Sequence, residues 1–283
     1  MGYLFIFILG LIIGSFLNVC IYRIPRKESI IFPGSKCASC RKPIPWHDNI
    51  PLLSYMLLKA RCRVCKARIS FRYFVVELIS AAAFLILFVI FGITARFYIY
   101  SLLTFALIVV TFIDFEFQVI PDRISIGGIL LGIILSAFFP ALHGSYLWKN
   151  SIVKSILGIL TGGGIIYFTR LFFNIVLLWI RRTGYYLRSN PYWRKRLSRY
   201  RHVKDSMGMG DVKLMAMLGA FLGWEKAIAI FLIAPFCGIF SAIYLLVKKK
   251  ALVTPYGPYI SMAAFLVIIF WQQGQDVLHR LLF

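Results

Sequence analysis

The sequence predicts an all-α polytopic membrane protein with about eight transmembrane helices. Hydrophobic residues make up 60% of the 283 residues, charged residues make up only 15%, and the mean hydropathy is +0.83. Soluble proteins carry about 25% charged residues. Apolar runs of the roughly 20 residues that cross a bilayer recur along the chain. We expect helices near 3–22, 73–92, 97–113, 123–142, 151–180, 211–223, 227–247 and 257–273.

The first apolar run predicts an uncleaved helix with its N-terminus outside the cytoplasm. No basic residue precedes it, whereas Arg23, Arg26 and Lys27 follow it directly. A cleavable signal peptide has the opposite order of charge. If the later helices cross the membrane one after another from this start, the segments 23–72, 181–206 and 248–250 lie in the cytoplasm.

Most of the 32 Lys and Arg residues fall in those three segments. Cytoplasmic loops of membrane proteins carry such an excess. The net charge of +22 therefore orients the protein and favours contact with anionic lipid heads. It does not indicate nucleic-acid binding, because no basic and aromatic module of a known nucleic-acid-binding type is present.

The chain divides into a first helix (1–22), a cytoplasmic segment (23–72) and a helical bundle (73–283). Within the bundle, the glycines of 161–164 interrupt a long apolar run and predict a kink or very close packing. The basic and aromatic loop 181–205 is interpreted as an interfacial segment, with a specific partner site as the alternative.

Two CxxC pairs in the cytoplasmic segment predict a structural zinc site. Cys37 and Cys40 form the first pair, and Cys62 and Cys65 form the second. Each tight turn offers two thiolates, and two turns complete the S4 cage that zinc prefers. Four protein ligands leave no open position, so the metal would be structural. Unliganded reduced cysteines and a redox pair are the alternatives.

Two of the ten acidic residues stand at the cytoplasmic ends of apolar runs. Asp114 ends one run and Asp211 begins another, and an acid at membrane depth is a functional hypothesis by default. Two carboxyl groups that share a proton can activate a water molecule and polarise a scissile carbonyl. Gly208 and Gly210 precede Asp211, permit dihedral angles closed to other residues, and allow a substrate backbone to approach. The pattern predicts a metal-independent aspartate dyad.

Simpler roles are expected for the neighbouring acids. Asp122 follows a proline and is interpreted as the N-cap of the next helix. Glu77 is expected to pair with Arg72 or Arg68. Glu116 is a lower-ranked candidate for sharing a proton with the dyad.

Two other classes of protein compete with a peptidase. One is a non-enzymatic membrane component of a pilus or secretion assembly. The other is a proton-coupled transporter in which Asp114 and Asp211 relay protons. For the individual acids, the plain alternatives are an interfacial cap or a lipid-edge acid at Asp114 and a helix N-cap at Asp211.

The motifs occur in a fixed order along the chain: 14–19 with 22–25, the two CxxC pairs, 49–55, 69–73 with 76–78, Asp114, 120–122 and 208–214. Together they resemble the bacterial type IV prepilin peptidases, which are aspartic membrane peptidases of the GxGD type. The resemblance covers most of the chain, from residue 14 to about 223.

The resemblance implies an enzyme that cleaves the leader of prepilins or pseudopilins at the cytoplasmic face of the inner membrane. It also implies that the new N-terminal amine is methylated with S-adenosylmethionine, an activity associated with residues 14–92. The family's catalytic aspartates map onto Asp114 and Asp211. Its zinc-binding cysteines map onto Cys37, Cys40, Cys62 and Cys65. No residue pattern indicates where the methyl donor binds.

Overall fold

The computed structural model of the chain describes residues 2–187, 208–247 and 255–282. In these ranges the regular structure is helical, apart from two isolated β-bridges after the first helix. The expected all-α fold is therefore confirmed. The α-helices are α1 (Gly2–Arg23), α2 (Leu53–Leu57), α3 (Phe71–Phe91), α4 (Ala95–Phe117), α5 (Asp122–Phe138), α6 (Trp148–Leu187), α7 (Met209–Leu222), α8 (Trp224–Val247) and α9 (Gly257–Leu282). Short 3₁₀ helices cover Trp46–Asn49 and Pro140–His143.

Four helices in the described ranges are long and apolar enough to cross a membrane. They are α1, α3, α4 and the Trp148–Val176 part of α6, while Gly257–Trp271 of α9 is a shorter apolar stretch. α5 and α7 have 17 and 14 residues, fewer than the roughly 20 that span the hydrocarbon layer. The helices support a multi-pass membrane protein, and the count of eight spans stays a prediction.

Two helix ends differ from the expected ones for clear reasons. α5 ends at Phe138, short of the expected residue 142, because Pro140 cannot continue a helix. α4 continues through Asp114 to Phe117, so Asp114 belongs to its last turn. There Gln118 adopts the left-handed conformation, with a φ of 53°, and ends the helix.

The predicted basic loop lies mostly outside the described residues. Residues 181–187 continue α6, whereas 188–205 and the basic residues 248–250 lie outside the described part. The interpretation of 181–205 as an interfacial segment stays a prediction.

The chain forms two compact units. The first comprises Met1–Ile124 and Ala251–Phe283, and the second comprises Ser125–Lys250. The last helix, α9, belongs to the first unit and packs against α4. This return of the chain places the start of α9 beside the end of α4, which the sequence analysis did not predict.

In the first unit, α1 and α3 approach closely through glycines spaced four residues apart. A Cβ atom at Gly10 would lie 2.6 Å from the Cα atom of Ala81, and one at Gly14 would lie 2.7 Å from the Cα atom of Glu77. Small residues at this spacing allow membrane helices to pack backbone to backbone. The close contact holds Glu77 of α3 against the C-terminal half of α1.

In the second unit, α6 and α7 cross at even shorter range. A Cβ atom at Gly158 would lie 2.1 Å from the carbonyl oxygen of Gly219, and one at Gly162 would lie 2.4 Å from that of Met215. The expected close packing of the glycine-rich part of α6 is therefore confirmed. α7 is buried along nearly its whole length and carries Asp211 in its first turn.

Candidate functional site

Asp114 is held in place by the first residue of another helix. Its side chain is buried, and its Oδ2 atom accepts a hydrogen bond of 3.0 Å from the backbone N–H of Gly257. The first N–H groups of a helix have no partner within the helix, and they lie at the positive end of its dipole. The start of α9 therefore supplies a donor that favours a carboxylate at Asp114.

Gly257 has no room for a side chain at this contact. A Cβ atom there would lie 2.6 Å from Oδ2 of Asp114 and 3.3 Å from a methyl carbon of Ile120. Gly257 was not among the site residues predicted from the sequence. The signal that could have identified it is the pair Gly257-Pro258 at the start of an apolar run. Gly208 and Gly210 also stand at the start of an apolar helix.

Asp211 is the third residue of α7, and Gly208 occupies the N-cap position. The Asp211 side chain is buried, and its Oδ2 atom accepts a hydrogen bond of 3.1 Å from the backbone N–H of Gly208. The alternative of Asp211 as the N-cap residue is therefore wrong. Its carboxylate instead reaches back one turn to the start of its own helix.

Gly208 does not use a conformation reserved for glycine. Its φ is −75° and its ψ is 153°, an extended backbone that any residue can adopt. The expectation of special dihedral angles is therefore wrong for Gly208. A Cβ atom at this position would meet Asp211 at 3.7 Å, which is ordinary contact. The expected close approach of a substrate backbone to Gly208 stays a prediction.

Asp114 and Asp211 thus share a local arrangement, each within its own unit. Both carboxylates are buried, and both accept a backbone N–H from a glycine at the start of a helix. Such a bond fixes one oxygen and orients the other. The joint action of the two acids stays a prediction.

The expected ion pair of Glu77 with Arg72 or Arg68 is wrong. Arg72 forms its salt bridge with Glu116 of α4, and Glu77 accepts the backbone N–H of Leu52 at 2.9 Å. Arg72 and Glu77 are five residues apart on α3, so their side chains point in different directions. The pairing also gives Glu116 a structural partner.

Glu77 stabilises an unusual turn. Leu52 has a φ of 56° and a ψ of −47°, a region that non-glycine residues rarely occupy. The Glu77 carboxylate holds the N–H of this residue and also contacts the hydroxyl group of Ser15. The segment 23–72 is thereby fixed to α1 and α3 next to residue 52.

The two CxxC pairs form two turns of the same geometry. In the first, Cys37 N–H donates to Lys42 O and Arg41 N–H donates to Cys37 O, each at 2.9 Å. In the second, the equivalent bonds are Cys62 N–H to Ala67 O at 2.9 Å and Lys66 N–H to Cys62 O at 3.0 Å. Arg41 and Lys66, which follow the second cysteine of each pair, have φ values of 57° and 58°.

The two turns bring Cys37, Cys40, Cys62 and Cys65 together, with sulfur atoms within 4.8 Å of one another. The sulfurs of Cys37 and Cys65 are 3.8 Å apart. A tetrahedral ion with metal–sulfur bonds of about 2.3 Å requires sulfurs about 3.8 Å apart. The cluster therefore fits a four-coordinate metal ion.

Backbone N–H groups prepare one of the four thiols for ligation. Hydrogen bonds from the N–H groups of Cys65 and Val64 lower the pKa of Cys62 to about 6. At Cys65, the backbone N–H of Ala67 lowers the pKa, but desolvation and hydrogen bonds with the neighbouring thiols raise it to about 11. The lowered pKa favours the thiolate form of Cys62, which is the form in which cysteine binds a metal ion.

Asp48 joins the two halves of the segment 23–72. Its carboxylate accepts two hydrogen bonds from the guanidinium group of Arg63, at 2.6 Å and 2.7 Å. Arg63 lies between the two cysteines of the second pair. The arginine lowers the pKa of Asp48, so this pair is charged at neutral pH.

Two family models match the chain. The bacterial peptidase A24 N-terminal domain matches residues 8–91, which contain the four-cysteine cluster and Glu77. The type IV leader peptidase family matches residues 101–243, which contain Asp114 and Asp211. No solved structure matches the chain significantly.

Similar proteins carry consistent names. A Pseudomonas putida protein named prepilin leader peptidase/N-methyltransferase is 29% identical over 93% of this chain and 88% of its own length. An Escherichia coli O78:H11 protein named type 4 prepilin-like proteins leader peptide-processing enzyme is 33% identical over 92% and 90%. A Myxococcus xanthus protein with the first of these names is 33% identical over 86% of this chain, which spans 62% of that protein.

These matches confirm the resemblance found in the motifs and favour an enzyme over a transporter or a non-enzymatic assembly component. The second family model covers half of the chain, and the E. coli relative is matched over nearly its full length. The chain belongs to the type IV leader peptidase family.

Proposed function

We propose that the chain cleaves the leader peptide from prepilins or pseudopilins at the cytoplasmic face of the inner membrane, with Asp114 and Asp211 as the catalytic acids. The observation that carries this proposal is the matched setting of the two acids. Each is buried at a helix end and accepts a backbone N–H from a glycine, Gly257 or Gly208. Both acids lie in the part of the chain that the peptidase family model matches.

In the proposed reaction the two carboxyl groups share one proton. The ionised group takes a proton from water, which attacks the scissile carbonyl, while the protonated group donates to the carbonyl oxygen. The glycine N–H groups hold Oδ2 of each acid, and in this proposal the opposite oxygen of each acid would carry out the proton transfer. Gly208 and Gly210 leave space for the substrate backbone beside Asp211.

We propose zinc as the metal of the four-cysteine cluster. Four sulfur ligands close the coordination sphere, so the ion would hold residues 23–72 folded and would take no part in hydrolysis. Bound zinc would supply the folding energy that this loop-rich segment lacks, since the structure gives it few buried apolar side chains.

We propose N-methylation of the new N-terminus, with S-adenosylmethionine as the donor, as a second activity. Its support is the relatives' names and the match of residues 8–91 to the family's N-terminal domain. In this division, 1–22 is the first membrane helix, 23–72 is the zinc segment, and 73–283 is the bundle that carries the peptidase site. Residues 14–92 would serve methylation.

The proposed orientation places the N-terminus outside and the cysteine cluster in the cytoplasm, next to anionic lipid heads. Its support is the concentration of basic residues in 23–72 and in the other segments that this topology places inside.

A reconstituted assay tests the proposal. Full-length protein in vesicles would be mixed with a prepilin carrying its leader, with and without S-adenosylmethionine. Mass spectrometry is expected to show loss of the leader in both samples and a methyl group on the new N-terminus only with the donor. An intact prepilin after long incubation, in vesicles that hold folded and zinc-loaded protein, would contradict the assignment.

A further inference from the structure

The short helix α2 turns one apolar face outward. Leu53, Met56 and Leu57 follow the i, i+3, i+4 spacing of a single helix face. They are 49%, 66% and 73% exposed. Uncovered apolar side chains that are grouped in this way are typical of a surface that binds a partner or a membrane.

The other face of α2 is fixed to its own segment and to α3. The buried Ser54 hydroxyl group donates to the carbonyl of His47 at 2.9 Å and accepts the N–H of Ile50 at 3.0 Å. The ring of Tyr55 packs against the ring of Phe74 of α3, with 5.6 Å between the ring centres. These contacts determine which side of α2 is left outside.

The contacts with α3 also set the depth of α2 in a membrane. α3 has 21 residues and is apolar enough to span a bilayer. Its length of about 31 Å equals the thickness of the hydrocarbon layer, so its first residue, Phe71, lies at the edge of that layer. Phe74 contacts Tyr55 and Glu77 bonds to Leu52, and these two residues of α3 lie about 5 and 9 Å further in. Interfacial helices bury their apolar face to a depth of about 5–10 Å.

α2 lies on the side of α3 that is opposite to α4. On a helix with 3.6 residues per turn, Phe74 and Glu77 point about 60° apart, whereas Arg72 points about 140° or more from both. Arg72 pairs with Glu116 of α4, the helix that carries Asp114. This placement favours membrane lipid over a peptide bound at Asp114 as the partner of the exposed face.

The two cysteine turns differ in charge. In the turn of the first CxxC pair, the isolated β-bridge joins Lys36 to Pro43, whereas in the second turn it joins Arg61 to Arg68. Both arginines are exposed, and neither forms a salt bridge within the described ranges. Like charges directly opposite each other in an antiparallel pair are destabilising. An anion bound between the two arginines would remove this repulsion.

The arginine pair lies just outside the depth of α2. Arg68 precedes Phe71, the first residue of α3, by three positions. Because lipid phosphates lie directly outside the hydrocarbon layer, Arg68 and its bridge partner Arg61 are at the level of the headgroups. The apolar face and the cations therefore follow the order of an interfacial segment, with apolar side chains inward and cations at the phosphates.

We propose that Leu53, Met56 and Leu57 insert into the boundary between the headgroups and the acyl chains, and that Arg61 and Arg68 bind the phosphate of an anionic lipid. The partner of this surface is the lipid leaflet around α3, which anchors the segment 23–72. The inference requires α3 to cross the membrane and does not depend on which reaction the chain catalyses.

Fluorescence quenching tests the depth of α2. Full-length protein in phosphatidylglycerol-containing vesicles would carry a fluorescent non-natural amino acid in place of Leu57. A second sample would carry it in place of Val64, an exposed apolar residue between the cysteines of the second pair. We expect a nitroxide on the lipid acyl chain to quench position 57 about fivefold more strongly than iodide on both sides of the vesicles, because iodide does not reach a buried apolar face. The opposite order is expected at position 64, since the turn 62–67 lies beyond the arginine bridge.

Cross-linking tests the anionic headgroup. Vesicles would contain a photoreactive phosphatidylglycerol or the matching phosphatidylcholine, and mass spectrometry would measure lipid adducts on residues 53–68. We expect about tenfold more adducts with phosphatidylglycerol, because two cations at the membrane surface each favour an anionic lipid.

Arg61→Gln/Arg68→Gln is expected to lose the preference for phosphatidylglycerol, whereas Arg61→Lys/Arg68→Lys keeps it because the charges remain. The matched control is Lys36→Gln/Lys42→Gln, which removes two charges from the turn of the first pair and should keep the preference. Resistance of residues 23–72 to protease, equal to that of the wild type, shows that each variant is folded.

Quenching of position 57 by iodide that is as strong as quenching by the nitroxide lipid would overturn the inference. Protection of position 57 that arises only after a prepilin is added would also overturn it, because the face would then bind a substrate. Protection that is lost at one protein molecule per vesicle would show an interface between copies instead. A preference for phosphatidylglycerol that survives Arg61→Gln/Arg68→Gln would overturn the assignment of the headgroup.

Discussion

The carboxylate of Asp114 accepts a hydrogen bond from the backbone N–H of Gly257, a residue 143 positions further along the chain. The contact joins the end of α4 to the start of α9 within the first unit. Because the bond comes from the backbone, no side chain at position 257 is needed to make it, and none fits.

Gly257→Ala is expected to lower leader cleavage by about 100-fold, because misplacing a reacting group by about 1 Å can have an effect of this size. The new methyl group would start 2.6 Å from Oδ2 of Asp114, and the carboxylate must move away. Steady-state cleavage of a prepilin measures the effect. Gly127→Ala is the control, since a Cβ atom there meets nothing within 4 Å. Wild-type rates for both variants would show that Gly257 does not position Asp114.

The four-cysteine cluster is expected to bind about one zinc ion per chain. Cys62→Ser should lose that ion, and protease should then cut residues 23–72 faster than the membrane helices, because the metal holds the small segment folded. Cys237→Ala, at a cysteine outside the cluster, should keep both the metal and the resistance. Metal analysis of purified protein decides the point. A wild-type protein nearly free of zinc, purified without chelator, would refute the zinc assignment.

His143 predicts a pH dependence of stability. Burial, together with the charges of Lys226 and Lys154, lowers the pKa of His143 to about 4. The imidazole therefore binds a proton more readily in the unfolded chain. Its contribution to stability is complete above about pH 6.5 and is lost as the pH falls toward 4, by about 3 kcal/mol in all.

Thermal unfolding of wild type and His143→Gln between pH 7 and pH 4 measures this effect. The glutamine cannot titrate but can still bond with Ser136, whose hydroxyl group lies 2.8 Å from Nε2 of His143. We expect the wild-type melting temperature to fall more steeply than that of His143→Gln. His47→Gln, at an exposed histidine, should follow the wild type. Parallel curves for all three proteins would refute the assignment to His143.

The crossing of α6 and α7 predicts a strong effect of a single methyl group. Gly158→Ala is expected to destabilise the protein by about 1–3 kcal/mol, because the new Cβ atom would overlap the backbone of Gly219. Gly164→Ala, also on α6, adds a methyl group where nothing lies within 4 Å. Melting temperatures in detergent compare the two. A Gly158→Ala protein as stable as Gly164→Ala would contradict the close crossing.

Local patterns were readable from the sequence because neighbouring residues determine them. The spacing of Cys37, Cys40, Cys62 and Cys65 fixes two tight turns, and the structure brings all four sulfurs together. The glycines near 162 indicated close packing for the same reason: without side chains, the backbone of α6 can approach α7. The apolar runs gave the helix positions, with errors mainly at the ends.

Contacts between distant parts of the chain were not readable. Gly257 lies 143 residues from Asp114, and nothing local indicates that α9 returns to α4. The pairing of Arg72 with Glu116 instead of Glu77 depends on how α3 is rotated against α4, which hydrophobic periodicity does not fix when nearly every position is apolar. Glu77 instead accepts a hydrogen bond from the backbone N–H of Leu52, because the turn at Leu52, where φ is positive, directs that N–H toward Glu77.

The central claim is that Asp114 and Asp211 together perform the cleavage, and single substitutions in a cleavage assay test it most directly. Asp114→Asn and Asp211→Asn preserve the side-chain shape and can each accept the glycine N–H, but they cannot exchange the catalytic proton. We expect each to lower the rate by about 10³-fold or more, whereas Asp122→Asn, near the start of α5, keeps the wild-type rate. If either Asp114→Asn or Asp211→Asn cleaves a prepilin at a rate near that of the wild type, the two-aspartate account is wrong.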